Sequence, residues 1–85
     1  MQLDTTELTP TINRLKRAQG QLGAVVRMLE EGKDCKDVVT QLSAVSKALD
    51  RAGFAIIASG LQQCLANPEE TLDQKDLEKL FLSLA

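Results

Sequence analysis

The sequence predicts an all-α protein of three helices, and three observations carry that prediction. Apolar residues recur at spacings of three, four and seven along most of the chain, the signature of helices with one buried stripe. Breakers at Thr9-Pro10, Gly32 and Asn67-Pro68 divide that pattern into three segments. No stretch sustains the period-two alternation of a strand. With 85 residues and no Pro/Gly/Ser-rich linker, internal repeat or low-complexity segment, the chain is expected to form one domain over residues 1–85.

The first helix is expected to open with Thr9 as its cap and Pro10 in the first turn, where a missing N–H costs nothing. It runs to about Glu31 and stops at Gly32. Ile12, Leu15, Leu22, Val26 and Leu29 form its buried stripe, while Arg14, Arg17 and Gln21 project from another face. Gln19 falls near the stripe, and Gly20 and Gly23 are expected to permit close helix contact rather than to cradle phosphate, because no strand precedes them.

The second helix starts at Asp34 as N-cap and continues to about Leu65, with Gly53 and Gly60 as its only interruptions. Its stripe follows a heptad, with Cys35, Leu42, Leu49 and Ile56 at one position and Val38, Val45 and Ala52 at the other. Cys35 is then the first member of a buried seam. A helix of roughly thirty residues is about 45 Å long, too long for two other helices of the same chain to cover. The seam is expected to continue across a second chain. Beyond Asn67-Pro68, Leu72, Leu77, Leu80, Phe81 and Leu84 give a short amphipathic third helix.

Composition closes off several functions. The chain has no His, Trp or Tyr, which removes histidine-based acid/base, triad and zinc arrangements and the aromatic platforms that stack single-stranded bases. No apolar run reaches membrane-spanning length. The net charge of −2 conceals an uneven distribution. Arg14, Lys16, Arg17 and Arg27 share the stretch from Asn13 to Met28 with no acid, whereas the tail from Leu65 onward holds five acids against two lysines. Such a basic run is usually an ordinary solvated face, but cations such as Arg14, Lys16 and Arg17 without a neutralising acid at i,i+4 are less usual, and an anionic partner is the alternative reading. Lys47 and Arg51, four apart on the second helix, extend the strip.

The two cysteines, Cys35 and Cys64, follow no recognisable secretory leader, so a reducing cytoplasm is expected, where paired thiols are more often chemistry than scaffold. Twenty-nine residues along one helix is roughly 43 Å, so the two cannot meet within a chain. Antiparallel pairing of two such helices would set Cys35 of one chain beside Cys64 of the other. The plain alternative is two small buried side chains. At the start of a helix and beside Lys33 and Lys36, Cys35 stands in a field that favours negative charge, while Asp34 and Asp37 oppose it.

The segments "INRLKRAQGQL", "MLEEGKDCKDVVTQLSAV" and "LDRAGF", with a second cysteine twenty-nine residues after the first, resemble the CsoR/RcnR family of bacterial repressors over nearly the whole chain. The resemblance implies three helices per chain, an antiparallel four-helix bundle dimer and a dihedral homotetramer. It implies double-stranded operator DNA as partner, bound without a helix-turn-helix and released when an inducer reaches the cysteine site. Within that family, copper-sensing members place a His four residues before the second Cys, where this chain has Gly60. They commonly carry a Tyr before the first Cys and a Glu in the third helix, where Asp34 and, nearby, Leu80 stand here. Nickel and cobalt sensors need further histidines, and formaldehyde sensors a Pro at the position of Gln2. A two-thiol site with no third ligand, in a segment reading "EEGKDCKDV", is similar to the persulfide-sensing, CstR-like branch.

The function expected on this resemblance is that of a cytoplasmic repressor, with no enzymatic activity and no resident cofactor. Its DNA face would use Arg14, Arg17 and Arg51, with Lys16 and Lys47 as weaker additions, and its switch would be Cys35 with Cys64 of the neighbouring chain, answering reactive sulfur species. A Cu(I)-responsive repressor using the two thiolates is the alternative within the class, because soft sulfur ligands suit Cu(I). Outside it stand a sulfur carrier, which lacks a CxxC and an acid/base histidine, and a purely structural helical module.

Overall fold

The computed structural model describes residues 2–66 and 74–85, without the side chains of Cys64, Leu65 and Gln74. The elements run in the order 3-10 turn (Thr5–Leu8), α1 (Thr9–Glu30), α2 (Cys35–Ala66) and α3 (Gln74–Leu84). No strand occurs among the described residues. The expected break at Asn67-Pro68 and the apolar position Leu72 lie outside them.

The start of α1 differs from the sequence expectation. Thr9 does not cap the helix. It lies inside, its hydroxyl donating to the Thr6 carbonyl at 3.4 Å, because the chain enters α1 through the 3-10 turn without a gap. The cap role falls to Asp4, whose carboxylate accepts from the Thr6 N–H at 3.0 Å and the Thr6 hydroxyl at 2.8 Å. Pro10 sits in the first turn of α1 as expected.

The end of α1 and the start of α2 match the sequence. Gly32 has φ of 68°, the left-handed conformation that a Cβ opposes. Its N–H reaches the Leu29 carbonyl at 3.2 Å, and the Lys33 N–H reaches the Met28 carbonyl at 2.9 Å, a Schellman closure. Asp34 then caps α2, accepting from the Lys36 N–H at 3.2 Å. The reversal is antiparallel: the Asp4 N–H, near the start of α1, donates to Gln63 Oε1 near the end of α2 at 2.9 Å.

Packing between α1 and α2 uses small side chains. Thr11, Ala18 and Val25 are buried on α1, and Val38, Val45 and Ala52 on α2. These rows mirror each other about the turn: each α1 member lies as far before it in sequence as its partner lies after it. Ala18 is 2% and Ala52 1% exposed, so both are fully covered in the α1–α2 contact.

The stripe predicted for α1 is not buried within the chain: Ile12, Leu22, Val26 and Leu29 remain 38–64% exposed. On α2, Leu42 and Leu49 are likewise each 46% exposed, and Cys35 is exposed. The heptad thus splits, its Val38 row facing α1 and the other row left open at Cys35, Leu42 and Leu49, while Ile56 is half-buried beside α3. The reason is dimensional. The Cα trace extends 53 × 25 × 14 Å with a radius of gyration of 16.3 Å, against about 12 Å for a compact domain of this length. One layer of helices has two faces, and the described residues do not cover both.

α3 folds back on the second half of α2. Leu77 is buried, the Phe81 and Phe54 rings stand 5.1 Å apart at a 53° tilt, and Leu84 lies over Gly53, where an added Cβ would come within 2.6 Å of its Cδ1. Gly53, expected as an interruption, is thus the close-approach glycine. Gly20 has nothing within 4 Å, and Gly23 only the Arg27 side chain, so within one chain neither serves helix contact.

Candidate functional site

The basic side chains assemble on one long side of the hairpin. At about 100° per residue, Arg14 and Arg17 lie on the flank of α1 away from Leu22 and Val26. Arg51 lies on the corresponding flank of α2, and Lys47, roughly 160° round from the buried Val45, stands at the outer edge of that helix. The mirrored rows set residue 18 opposite residue 45, so these four positions fall within about one and a half helical turns of each other along the axis. The same periodicity sends Lys16 to the outer edge of α1, as it does Lys47 on α2. All five of Arg14, Lys16, Arg17, Lys47 and Arg51 are exposed, and none joins an ion pair among the described residues, where Lys33 with Glu31 at 3.7 Å is the pair formed. Unneutralised cations converging from two rigid helices present a surface for a polyanion.

The thiols occupy a different part of the molecule. Cys35 is the first residue of α2, exposed, on the flank carrying Leu42 and Leu49, next to the capping Asp34. Lys33, expected to act on the thiol, is engaged with Glu31. Cys64 belongs to the same unbroken helix, so twenty-nine residues separate the two by roughly 43 Å. A single chain therefore does not bring them together. Nor do the described residues contain a cluster of three or more His, Cys, Asp or Glu able to hold a metal ion.

One polar constellation was not foreseen from sequence. Gln63 accepts from the Asp4 N–H and donates from Nε2 to Ser59 Oγ at 3.0 Å. Thr6, through its hydroxyl first and its backbone N–H second, holds the Asp4 carboxyl below its ordinary range. An Asp followed two residues later by Thr is a readable turn signal. The long-range tie to Gln63 has no local signature.

The hairpin thus has one basic flank, one open apolar flank and a thiol at the edge of the latter. The chain belongs to the family of metal-sensitive transcriptional repressors, whose pattern it matches over residues 7–84. It is 40% identical over 62 residues to the copper-sensing transcriptional repressor CsoR of Mycobacterium ulcerans, covering 73% of this chain and 53% of that protein. The copper-sensing transcriptional repressor RicR of Mycobacterium tuberculosis is 42% identical over 52 residues, 61% of this chain and 54% of its own length. The chain thus spans about half the length of these copper-sensing relatives. The uncharacterized protein YrkD of Bacillus subtilis is 43% identical over 58 residues, 67% of this chain and 92% of YrkD. No helix among the described residues is long and apolar enough to cross a membrane.

Proposed function

We propose that the protein is a cytoplasmic repressor that binds double-stranded operator DNA through Arg14, Arg17 and Arg51, with Lys16 and Lys47 at the margin. In this reading two chains close their open apolar flanks on each other, α2 against α2 in antiparallel sense, and two such dimers form a homotetramer. Cys35 of one chain then meets Cys64 of the next. The observation that carries the reading is the continuity of α2 from Cys35 to Ala66, which makes any Cys35–Cys64 chemistry a link between subunits.

The inducer we propose is a reactive sulfur species. The Cys35 thiolate attacks the outer sulfur of a persulfide, breaking its S–S bond and releasing the carrier as a thiol. Cys64 of the neighbouring chain then attacks the Cys35 sulfur, forming the interchain disulfide and releasing hydrogen sulfide. The persulfide is the oxidant, and both thiol protons leave with the reduced products. The chain has no histidine, and Gly60 stands where the copper-sensing pattern has one. The second reading, a Cu(I) sensor using the two thiolates, is favoured by the copper-sensing relatives and by the affinity of soft sulfur for Cu(I).

Intact-mass spectra and non-reducing denaturing gels after treatment with an organic persulfide, read beside retardation of duplex DNA, test the first reading. A crosslinked dimer that has released DNA is expected, and Cys64→Ala is expected to leave a modified, uncrosslinked Cys35. Tight Cu(I) binding at one per chain in a competition titration, with loss of DNA affinity, selects the second. Loss of Arg14 or Arg51 is expected to reduce the salt slope of binding by about 0.9 per phosphate contact. An unchanged slope in both variants removes this face from the DNA site.

A further inference from the structure

We propose that Gln63 is a positioning residue that fastens the Thr5–Leu8 turn to the far end of α2, so that a group added at Cys64 is transmitted to the start of α1. The transmission to function rests on reading Cys64 as a sensor thiol and Arg14 and Arg17 as DNA contacts; the latch itself stands on the hydrogen bonds. The Gln63 carboxamide is fixed at both ends. Its Nε2 donates to Ser59 Oγ at 3.0 Å in a part-buried position, which turns Oε1 outward to accept the Asp4 N–H at 2.9 Å. That bond joins positions 59 residues apart.

Asp4 is in turn locked into the turn by its two bonds from Thr6, and the turn's last residue, Leu8, is 7% exposed. The segment is thus held at its entry by Gln63 and at its exit by Leu8. It passes directly into α1 at Thr9, so tilting it shifts the first turns of the helix on which Arg14 and Arg17 stand. Gln63 and Cys64 are consecutive residues of one helix. Any displacement of the backbone to accommodate a larger group at Cys64 moves the Gln63 acceptor. A single amide bond at a solvent-exposed site is weak enough in net terms to open reversibly, as a latch requires.

The test uses the full chain with Cys35→Ala, which leaves Cys64 as its sole thiol, and reads the water-exchange rates and proton shifts of the Asp4 and Thr6 amides by NMR. Gln63→Ala is expected to raise Asp4 exchange by roughly 3- to 10-fold, the factor one net hydrogen bond supplies, and Gln63→Glu, which retains an acceptor, to restore it. Carbamidomethylation of Cys64, its completeness read by intact mass, is expected to reproduce the Gln63→Ala change and to add nothing in the Gln63→Ala background. Cys64→Met supplies bulk there without a reagent and is expected to act in the same direction. If Asp4 and Thr6 stay unchanged in both the alkylated and the Cys64→Met protein, the latch is overturned, whatever the DNA assays give. If the amides respond but the unmodified protein fails to retard duplex DNA, the latch stands and the repressor reading falls. If the amides respond and Gln63→Ala releases DNA at an unchanged persulfide dose, the coupling to the arginines is overturned.

Discussion

Two rows of side chains run the length of the α1–α2 hairpin, and they differ in size and in exposure. Between the helices lie Thr11, Ala18 and Val25 against Val38, Val45 and Ala52, all buried. On the open flank lie Ile12, Leu22, Val26, Leu29, Leu42 and Leu49, all more than a third exposed. Small side chains let the two helices of one chain approach closely, and that approach turns the larger ones outward. The larger ones form a contiguous apolar surface of a kind that single soluble chains rarely leave in water. Which helices pair within the chain is thus set by the small row, and what the chain pairs with is set by the large one.

The strongest way to break this comparison is to truncate the large row. Leu49→Ala and Leu42→Ala are expected to cost about 2–5 kcal/mol per site if a second chain buries them. The midpoint of chemical denaturation is then expected to fall and to depend on protein concentration, with sedimentation showing a shift toward single chains. A change within about 0.5 kcal/mol, as at an ordinary surface position, would return the open flank to solvent and sink the seam.

Overfilling the small row is expected to do less. Ala18→Leu or Ala52→Leu pushes a larger side chain into the α1–α2 contact, a strain of typically about 1–3 kcal/mol. Its signature differs from that of the large row, because stability falls without an added dependence on concentration. Urea midpoints at two protein concentrations separate the two rows. Identical behaviour in both would mean that they are one core.

The turn that holds the rows in register comes next. Gly32→Ala forces a Cβ into a backbone with φ of 68°, at a cost of about 1–2 kcal/mol, with no effect on the open flank itself. A thermal midpoint unchanged from that of the native chain would show that the hairpin does not depend on this closure.

How much of this was legible in the sequence follows from how local each signal is. Gly32 and Asp34 announced the turn because capping needs only neighbours. The heptad of α2 announced a seam, and its period could not say which of its two rows would face α1. That choice depends on the size match of Thr11, Ala18 and Val25 with Val38, Val45 and Ala52, a property of two segments taken together. Arg14, Arg17 and Arg51 were legible as a charge pattern, and only the antiparallel register sets them along one flank and leaves Lys16 and Lys47 at the outer edges. The misplaced cap at Thr9 has the same origin. A good local signal lost to Asp4, because the helical path had already begun one turn earlier.

The smallest effect expected is electrostatic and lies at the joint between the two regions, where the 3-10 turn meets the end of α2. Hydrogen bonds from Thr6 lower the Asp4 carboxyl below its unfolded value. The sign follows from linkage: a depressed carboxylate stabilises the fold above its unfolded pKa, and that contribution is lost as pH falls through the folded value. Between neutral pH and the lower carboxylate range the turn is therefore expected to loosen on acidification, and Asp4→Asn is expected to flatten the trend. Because Asp4 is exposed, global stability is expected to move little. Local exchange of the Thr6 amide is the sensitive measurement, rising with acid relative to its intrinsic rate in the native chain and not in Asp4→Asn. A native Thr6 amide that keeps the same protection down to pH 3 would mean that the carboxylate does not hold the turn, and that Leu8 and Gln63 alone tie it to the hairpin.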